Sequence, residues 1–246
     1  MKADHFDQQK LLALAAEDVA LSQLAHRKRT LPELATVESA AGSEREYAEA
    51  VVRAETEVRD LQREVKRLEG DVETVRNRAA KDQKLLDSGA IAAKQMTDLQ
   101  HELQSLARRQ SDLEDTELEL MEQLETAEGT LREAQEGRAQ AQAERERAEQ
   151  LRDDALADIA DAIARHEKGR QEAAATVPAD LLSLYERIRT QTGGTGAAML
   201  KARQCQGCRI ELFGKELAAV RNADPHEVVR CDNCGRILVR TAESGL

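Results

Sequence analysis

Residues 103–134 read LQSLARRQSDLEDTELELMEQLETAEGTLREA, and apolar side chains recur along this stretch at alternating steps of three and four. The series extends back to Met96, with Gln110 and Glu117 as polar residues in register. Its apolar members are Met96, Leu99, Leu103, Leu106, Leu113, Leu120, Leu124, Ala127, Leu131 and Ala134. This spacing places one narrow stripe along a helix, so the stretch predicts a coiled-coil seam.

An earlier stretch carries a second seam with the same spacing. Its members are Val58, Leu61, Val65, Leu68, Val72, Val75 and Ala79. Residues 86–91 interrupt the repeat, and Gly89 can adopt the left-handed conformation that ends a helix. We therefore expect a mainly α protein in which residues 1–175 form a long antiparallel coiled-coil helical hairpin with its turn near residues 87–92. The alternative is one uninterrupted helix that dimerises in parallel.

Four residues are expected to weaken the two arms. Pro32 should break or kink the first arm near residues 30–31, because proline lacks the N–H that a helix interior needs. Gly42 precedes the turn, and Gly129 and Gly137 follow it, at similar distances along the chain. An interior glycine costs about 1 kcal/mol relative to alanine. We hypothesise that both arms bend at this level.

The composition excludes several classes of protein. Of the 246 residues, 34% are charged and only 2% are aromatic, which is too few bulky side chains for the thick core of a barrel or a doubly wound enzyme. The net charge of -11 disfavours binding of nucleic acid or an acidic membrane by the molecule as a whole. The sequence contains neither a recognisable secretory signal nor an apolar run long enough to span a bilayer. We expect a cytoplasmic protein that binds no membrane.

The four cysteines form two Cys-x-x-Cys pairs with 22 residues between them, Cys205 with Cys208 and Cys231 with Cys234. Thiolates at this spacing can share one tetrahedral ion, and four sulfurs leave no position for water or substrate. The pattern predicts one structural Zn²⁺ in a small C-terminal zinc-ribbon domain of α+β type, residues 176–246, which begins with a short helix. Redox dithiols and an iron–sulfur cluster are the alternatives. His226 is not expected to be a ligand, because the coordination shell is already complete.

Positive charge is concentrated in the last 50 residues, and this favours them as a contact region. Residues 197–246 hold eight Lys or Arg against six Asp or Glu, which leaves -13 for residues 1–196. The candidate contacts to RNA or DNA phosphates are Arg209, Arg221, Arg236 and Arg240. The hairpin tip is a second candidate contact site, where apolar and charged residues occur together. Its candidates are Asp87, Ile91, Lys94 and Met96.

Three segments resemble a known family. Residues 177–189, the pair Cys205-Gln206-Gly207-Cys208 and the stretch Cys231-Asp232-Asn233-Cys234-Gly235-Arg236-Ile237-Leu238 are similar to the bacterial C4-type zinc-ribbon proteins with an N-terminal coiled-coil hairpin. The resemblance implies zinc at all four cysteines. It also implies a role in nucleic-acid binding, or as an adaptor or chaperone for RNA, an alternative sigma factor or secretion components. Val239 stands where the family often has an aromatic residue.

These observations favour recognition over catalysis. The five histidines are scattered, and the chain has neither a glycine-rich phosphate loop nor a suggestive Ser, His and Asp set. We expect a non-enzymatic adaptor without a small-molecule substrate, which binds protein through the coiled coil and RNA or DNA through the ribbon. One alternative is a transcription regulator that inserts its coiled-coil tip into RNA polymerase. Another is a purely structural rod.

Overall fold

A computed structural model describes all 246 residues, from Met1 to Leu246. The helices are α1 (His5–Arg29), α2 (Pro32–Asp87), α3 (Ala93–Ala175), α4 (Ala179–Thr192) and α5 (Gly214–Asn222). The strands are β1 (Ala197–Lys201), β2 (Gln204–Cys205) and β3 (Ile237–Val239), and a 3₁₀ turn covers Ala242–Ser244. No helix has the length and apolar character that crossing a membrane requires. The chain forms two compact units, residues 35–149 and residues 1–34 with 150–246.

The unit of residues 35–149 is the antiparallel hairpin of α2 and α3. The helices end and begin on either side of residues 88–92, where Gly89 has a φ of 66°. Arg76 Nη2 lies 2.6 Å from Glu114 Oε1, and Arg145 Nη1 lies 2.9 Å from Glu44 Oε2. The first pair joins the C-terminal part of α2 to the N-terminal part of α3, and the second joins the N-terminal part of α2 to a later part of α3. Only antiparallel helices allow both pairs. The predicted hairpin is therefore confirmed, and the uninterrupted helix is excluded.

Both predicted seams are buried or half-buried along this hairpin. Val72 is 2% exposed on α2, and Ala127 is 5% exposed on α3. The polar positions Gln110 and Glu117 are also half-buried. Met96 is the exception, because it lies in the first turn of α3 and is exposed. The narrow stripe explains how this unit, with few aromatic residues, packs two helices without a thick core.

The expected break at Pro32 is confirmed, because α1 ends at Arg29 and α2 begins at Pro32. By contrast, α2 continues without interruption through Gly42, and α3 continues through Gly129 and Gly137. Gly137 has a packing role, since a Cβ added there would lie 2.7 Å from Cδ1 of the Tyr47 ring. The proposed bend at this level stays a prediction.

The second unit combines the two ends of the chain. One core cluster contains Leu11 and Leu14 of α1, Tyr185 and Ile188 of α4, and Ile237 of β3. The N-terminus also pairs with a loop, because Ala3 N donates to His226 O at 2.7 Å and Val228 N donates to Met1 O at 3.1 Å. This grouping differs from the predicted division at residues 175 and 176, because α1 packs against α4 and the sheet.

The sheet has the order β2-β1-β3, with β1 antiparallel to β2 and parallel to β3. In register, Leu200 faces Cys205 and Ala198 faces Leu238. The β-branched residues Ile237 and Val239 lie in β3. Isolated bridges pair Gln204 with Glu211 and Arg230 with Ile237. The central strand β1 was not anticipated from the sequence.

Candidate metal centre

The two cysteine pairs lie in two loops with matching backbone hydrogen bonds. In the first loop, residues 205–210, Arg209 N donates to Cys205 O at 2.7 Å and Cys205 N donates to Ile210 O at 3.0 Å. In the second loop, residues 231–236, Gly235 N donates to Cys231 O at 2.8 Å and Cys231 N donates to Arg236 O at 2.9 Å. We call these the first and second knuckles. Their shared geometry turns both thiols of each pair to the same side.

The four sulfur atoms converge on one point. All lie within 4.8 Å of one another. Across the knuckles, Cys205 Sγ is 3.9 Å from Cys234 Sγ, and Cys208 Sγ is 3.8 Å from Cys231 Sγ. Tetrahedral zinc with Zn–S bonds of about 2.3 Å requires sulfurs about 3.8 Å apart. The donor set and its spacing therefore fit zinc. His226 lies outside this cluster, with Nδ1 3.7 Å from Asp4 Oδ2.

The two glycines of the knuckles have different roles. Gly235 has a φ of 74°, a left-handed conformation that glycine adopts without strain. In the first knuckle the left-handed residue is Arg209, with a φ of 62°, and Gly207 is not left-handed. Gly207 is thus not needed for a positive φ. Its missing side chain instead makes room, since an added Cβ would lie 2.7 Å from Arg236 Cδ.

The thiols differ in how readily they ionise. Burial raises the pKa of Cys205 and raises that of Cys231 to about 12, although backbone N–H groups oppose both shifts. Burial acts on Cys234 as well, but Arg236, Cys231 and Cys208 together outweigh it through hydrogen bonding and lower its pKa. Without a metal, Cys205 and Cys231 hold their protons at neutral pH. Zinc binding must displace those protons, because zinc binds thiolates.

The metal site forms part of the ribbon's own core. Cys205 and Cys231 are 0% and 1% exposed and pack with Leu200, Leu212 and Leu238. Cys208 and Cys234 border the same cluster and are half-buried. Structural zinc sites usually contribute to the folding of such small cores, so we expect a bound metal to stabilise this one.

The four candidate arginines are placed in different environments. Arg209 and Arg221 are exposed. Arg236 is half-buried, and its Nε donates to Thr195. Arg240 is 9% exposed, and its guanidinium donates to backbone carbonyls. The accepting residues are Val220, Ala223, Asp224, Pro225 and Glu227. The assignment of Arg240 to phosphate contact is therefore corrected, because its donors are used inside the fold.

The tip residues lie at the reversal of the hairpin. Asp87 ends α2 and accepts a hydrogen bond from Gln83 Nε2 at 2.8 Å. Lys94 and Met96 are exposed in the first turn of α3, and Ile91 is half-buried. The structure brings these four residues to one end of the hairpin unit. Their contact role, including insertion into RNA polymerase, stays a prediction.

Sequence reasoning missed a basic cluster in α1. His26, Arg27, Lys28 and Arg29 are all exposed, and none of their side chains forms an ion pair. Cations in the last turn of a helix interact favourably with the negative end of the helix dipole. The cluster therefore stabilises the end of α1. The signal was present as four consecutive basic residues in an acidic chain.

Fold and site together define a class of protein, a coiled-coil hairpin with a four-cysteine zinc ribbon. A family model for a CT398-like coiled coil hairpin domain matches residues 14–193, and one for a C4-type zinc ribbon domain matches residues 204–238. The chain belongs to the CT398-like coiled-coil hairpin family. The resemblance found in the sequence is confirmed.

Relatives share both parts of the chain. The protein Rv2229c of Mycobacterium tuberculosis is 39% identical over 240 residues, which cover 98% of each chain. A solved structure from Mycobacterium smegmatis is 34% identical, with a TM-score of 0.88 over 98% of this chain and 100% of that one. The structure of CT398 from Chlamydia trachomatis is 19% identical, with a TM-score of 0.68 over 96% of this chain and 98% of that one. The likeness to CT398 shows that the two chains share a fold.

Proposed function

We propose that this protein is a non-enzymatic, cytoplasmic adaptor. In this proposal one structural Zn²⁺, held by Cys205, Cys208, Cys231 and Cys234, maintains the ribbon. The α2–α3 hairpin binds a protein, and the ribbon binds RNA or DNA. The closed sulfur site supports a structural metal, because four thiolates leave no open position for substrate.

The observation that carries the adaptor proposal is an exposed apolar pair on α3. Leu118 is 60% exposed and Met121 is 50% exposed, and residues three apart share a helix face. They lie within residues 110–131, which contain eight Asp or Glu and no Lys or Arg. An apolar contact surrounded by carboxylates fits a protein partner with a basic surface.

Paired variants test the protein interaction. The full chain is used to capture partners from native extract after nuclease treatment, and Leu118→Glu/Met121→Glu is compared with Val52→Glu. Val52 is 62% exposed on α2, so its replacement adds a charge without touching the α3 pair. We expect the double variant to lose a partner that the Val52 variant retains. Equal capture by both variants contradicts the proposed surface.

Nucleic-acid binding through the ribbon is supported by exposed cations and one exposed aromatic ring. Arg209 and Arg221 are exposed, and Phe213 is 66% exposed at the start of α5. Arginine binds phosphates and displaces their counterions, and an exposed ring can stack on a base.

A salt titration of RNA and DNA binding tests this part. The full chain is required, because Leu11 and Leu14 complete the core beneath the ribbon. We expect Arg209→Gln and Arg221→Gln each to reduce the slope of log affinity against log salt by about one unit. Lys168→Gln is the control, since Lys168 is an exposed cation of α3. Unchanged slopes for both arginine variants, or no binding at low salt, refute ribbon binding.

A further inference from the structure

The side chain of Arg236 has an unusual set of contacts for an arginine in a charged protein. It is half-buried, and its Nε donates to both Thr195 O and Thr195 Oγ1 at 3.1 Å. Thr195 is itself 8% exposed and lies in the segment that connects α4 to β1. No carboxylate forms an ion pair with this guanidinium. A half-buried guanidinium without a carboxylate partner needs other acceptors or a nearby negative charge to offset its loss of water.

Arg236 contacts both knuckles, the first through its side chain and the second through its backbone. Its Cδ would be 2.7 Å from a Cβ placed on Gly207, so the arginine crosses the first knuckle at the point where that knuckle lacks a side chain. In the second knuckle, the Arg236 backbone carbonyl accepts from Cys231 N at 2.9 Å, which fixes the same residue beside a metal ligand. One residue therefore touches the two loops that must stay together for four sulfurs to share an ion.

Ile210 occupies the position in the first knuckle that Arg236 occupies in the second, and its side chain makes no comparable contact. Ile210 O accepts from Cys205 N as Arg236 O accepts from Cys231 N. The Ile210 side chain, however, is apolar and 46% exposed. The backbone hydrogen bonds alone thus do not require an arginine at residue 236.

We propose that Arg236 is a positioning residue of the metal centre, which holds the two knuckles at the spacing zinc needs and offsets the negative charge of four zinc-bound thiolates. This role goes beyond the four ligands and is independent of what the ribbon binds. Groups that orient metal ligands typically affect metal affinity by about 10–100-fold when they are removed.

Zinc release from the zinc-loaded full chain tests the proposal. Zinc transfer to an excess of a coloured chelator is followed for the wild type, Arg236→Met, Arg236→Lys and Arg203→Met. Methionine retains most of the aliphatic chain over Gly207 but removes the charge and its donors. Arg203 is an exposed ribbon cation, so Arg203→Met controls for the loss of charge alone.

We expect Arg236→Met to release zinc about tenfold faster or more, and Arg236→Lys to recover part of the difference. The pH at which half of the zinc is released should rise in Arg236→Met, because protons then compete better for the thiolates. Arg203→Met should behave as the wild type. Release by Arg236→Met that stays within about twofold of the wild type overturns the proposal. A lower melting temperature with unchanged release pH also overturns it.

Gly207→Ala gives a second, independent test if Arg236→Met does not fold. The added methyl group would meet Arg236 Cδ at 2.7 Å and Ala198 Cβ at 3.0 Å, so it displaces the arginine side chain without removing its charge. We expect Gly207→Ala to release zinc faster than the wild type. If the double variant Gly207→Ala/Arg236→Met folds, its zinc release should be little faster than that of Gly207→Ala alone. Wild-type release from Gly207→Ala, or additive effects of the two changes, contradicts the proposed contact.

Discussion

At the scale of single residues, the hydroxyl of Tyr185 joins α4 to α1. It donates to Asp18 Oδ2 at 2.6 Å, while Arg170 Nε donates to Asp18 Oδ1 at 2.7 Å. Burial and the neighbouring Asp18 raise the pKa of Tyr185, so the hydroxyl stays a donor at neutral pH. We expect Tyr185→Phe to lower the free energy of unfolding by about 1–3 kcal/mol, because a buried carboxylate loses a donor. Urea denaturation of the zinc-loaded protein measures the change.

Tyr47→Phe is the matched control for this prediction. The Tyr47 ring is 44% exposed, and removal of its hydroxyl leaves no buried partner without a donor. We expect its unfolding free energy to stay near that of the wild type, within about 0.5 kcal/mol. Equal losses in the two variants would show that the Asp18 contact is not the source of the effect.

Arg240 gives a second prediction at this scale. Its guanidinium holds the loop of residues 223–227 through carbonyl contacts, including Asp224 O at 2.6 Å and Ala223 O at 2.8 Å. Arg240→Met leaves several of these carbonyls without a donor, and we expect a loss of about 2–3 kcal/mol in unfolding free energy. The salt slope of nucleic-acid binding by the folded protein should not change. A reduced slope would restore Arg240 as a phosphate contact.

At the scale of elements, two glycines of α3 make a matched pair. An alanine Cβ at Gly129 would have no atom within 4 Å, whereas one at Gly137 would meet the Tyr47 ring. Gly129→Ala should therefore stabilise the hairpin by about 0.5–1 kcal/mol through helix propensity. Gly137→Ala should be neutral or destabilising, because the ring must move. Thermal unfolding of both variants measures the difference, and equal stabilisation would contradict the packing role of Gly137.

The position of α1 gives another prediction for elements. Leu14 is 0% exposed and packs in the same cluster as Ile237 and Val239 of β3. Leu14→Ala should cost about 2–5 kcal/mol through the cavity it leaves. Hydrogen exchange should accelerate in β3 and α4 and remain unchanged in the middle of α2. Faster exchange confined to α2 would argue against the grouping of α1 with the ribbon.

The elements also show what sequence can and cannot predict. The seams were predictable because helical periodicity is local, and the cysteine pairs were predictable because their spacing is that of a known ligand set. The strand Ala197–Lys201 was not, since its alanines have little strand preference and it forms only through pairing with β2 and β3. Arg240 and Arg209 look alike in sequence, and only tertiary contacts separate them.

At the scale of the whole molecule, zinc removal should affect the two units differently. The metal ligands lie in the ribbon core, whereas the α2–α3 hairpin is held by its own seam. A chelator should therefore loosen residues 197–246 while most of the helical circular dichroism remains. Because the thiols of Cys205 and Cys231 have raised pKa values, zinc affinity should fall as the pH falls. Loss of most helical signal on chelation would contradict separate stabilisation.

The pairing of Met1–Ala3 with residues 226–228 has a consequence for biosynthesis. At translation rates of about 5–20 residues per second, the first helix leaves the ribosome roughly ten seconds or more before its binding site in the ribbon is made. Leu11 and Leu14 lack their partners in β3 during that interval. The apolar positions of α1 are thus incompletely covered until β3 has emerged, and chaperones that bind exposed apolar side chains have their best opportunity at this stage of synthesis.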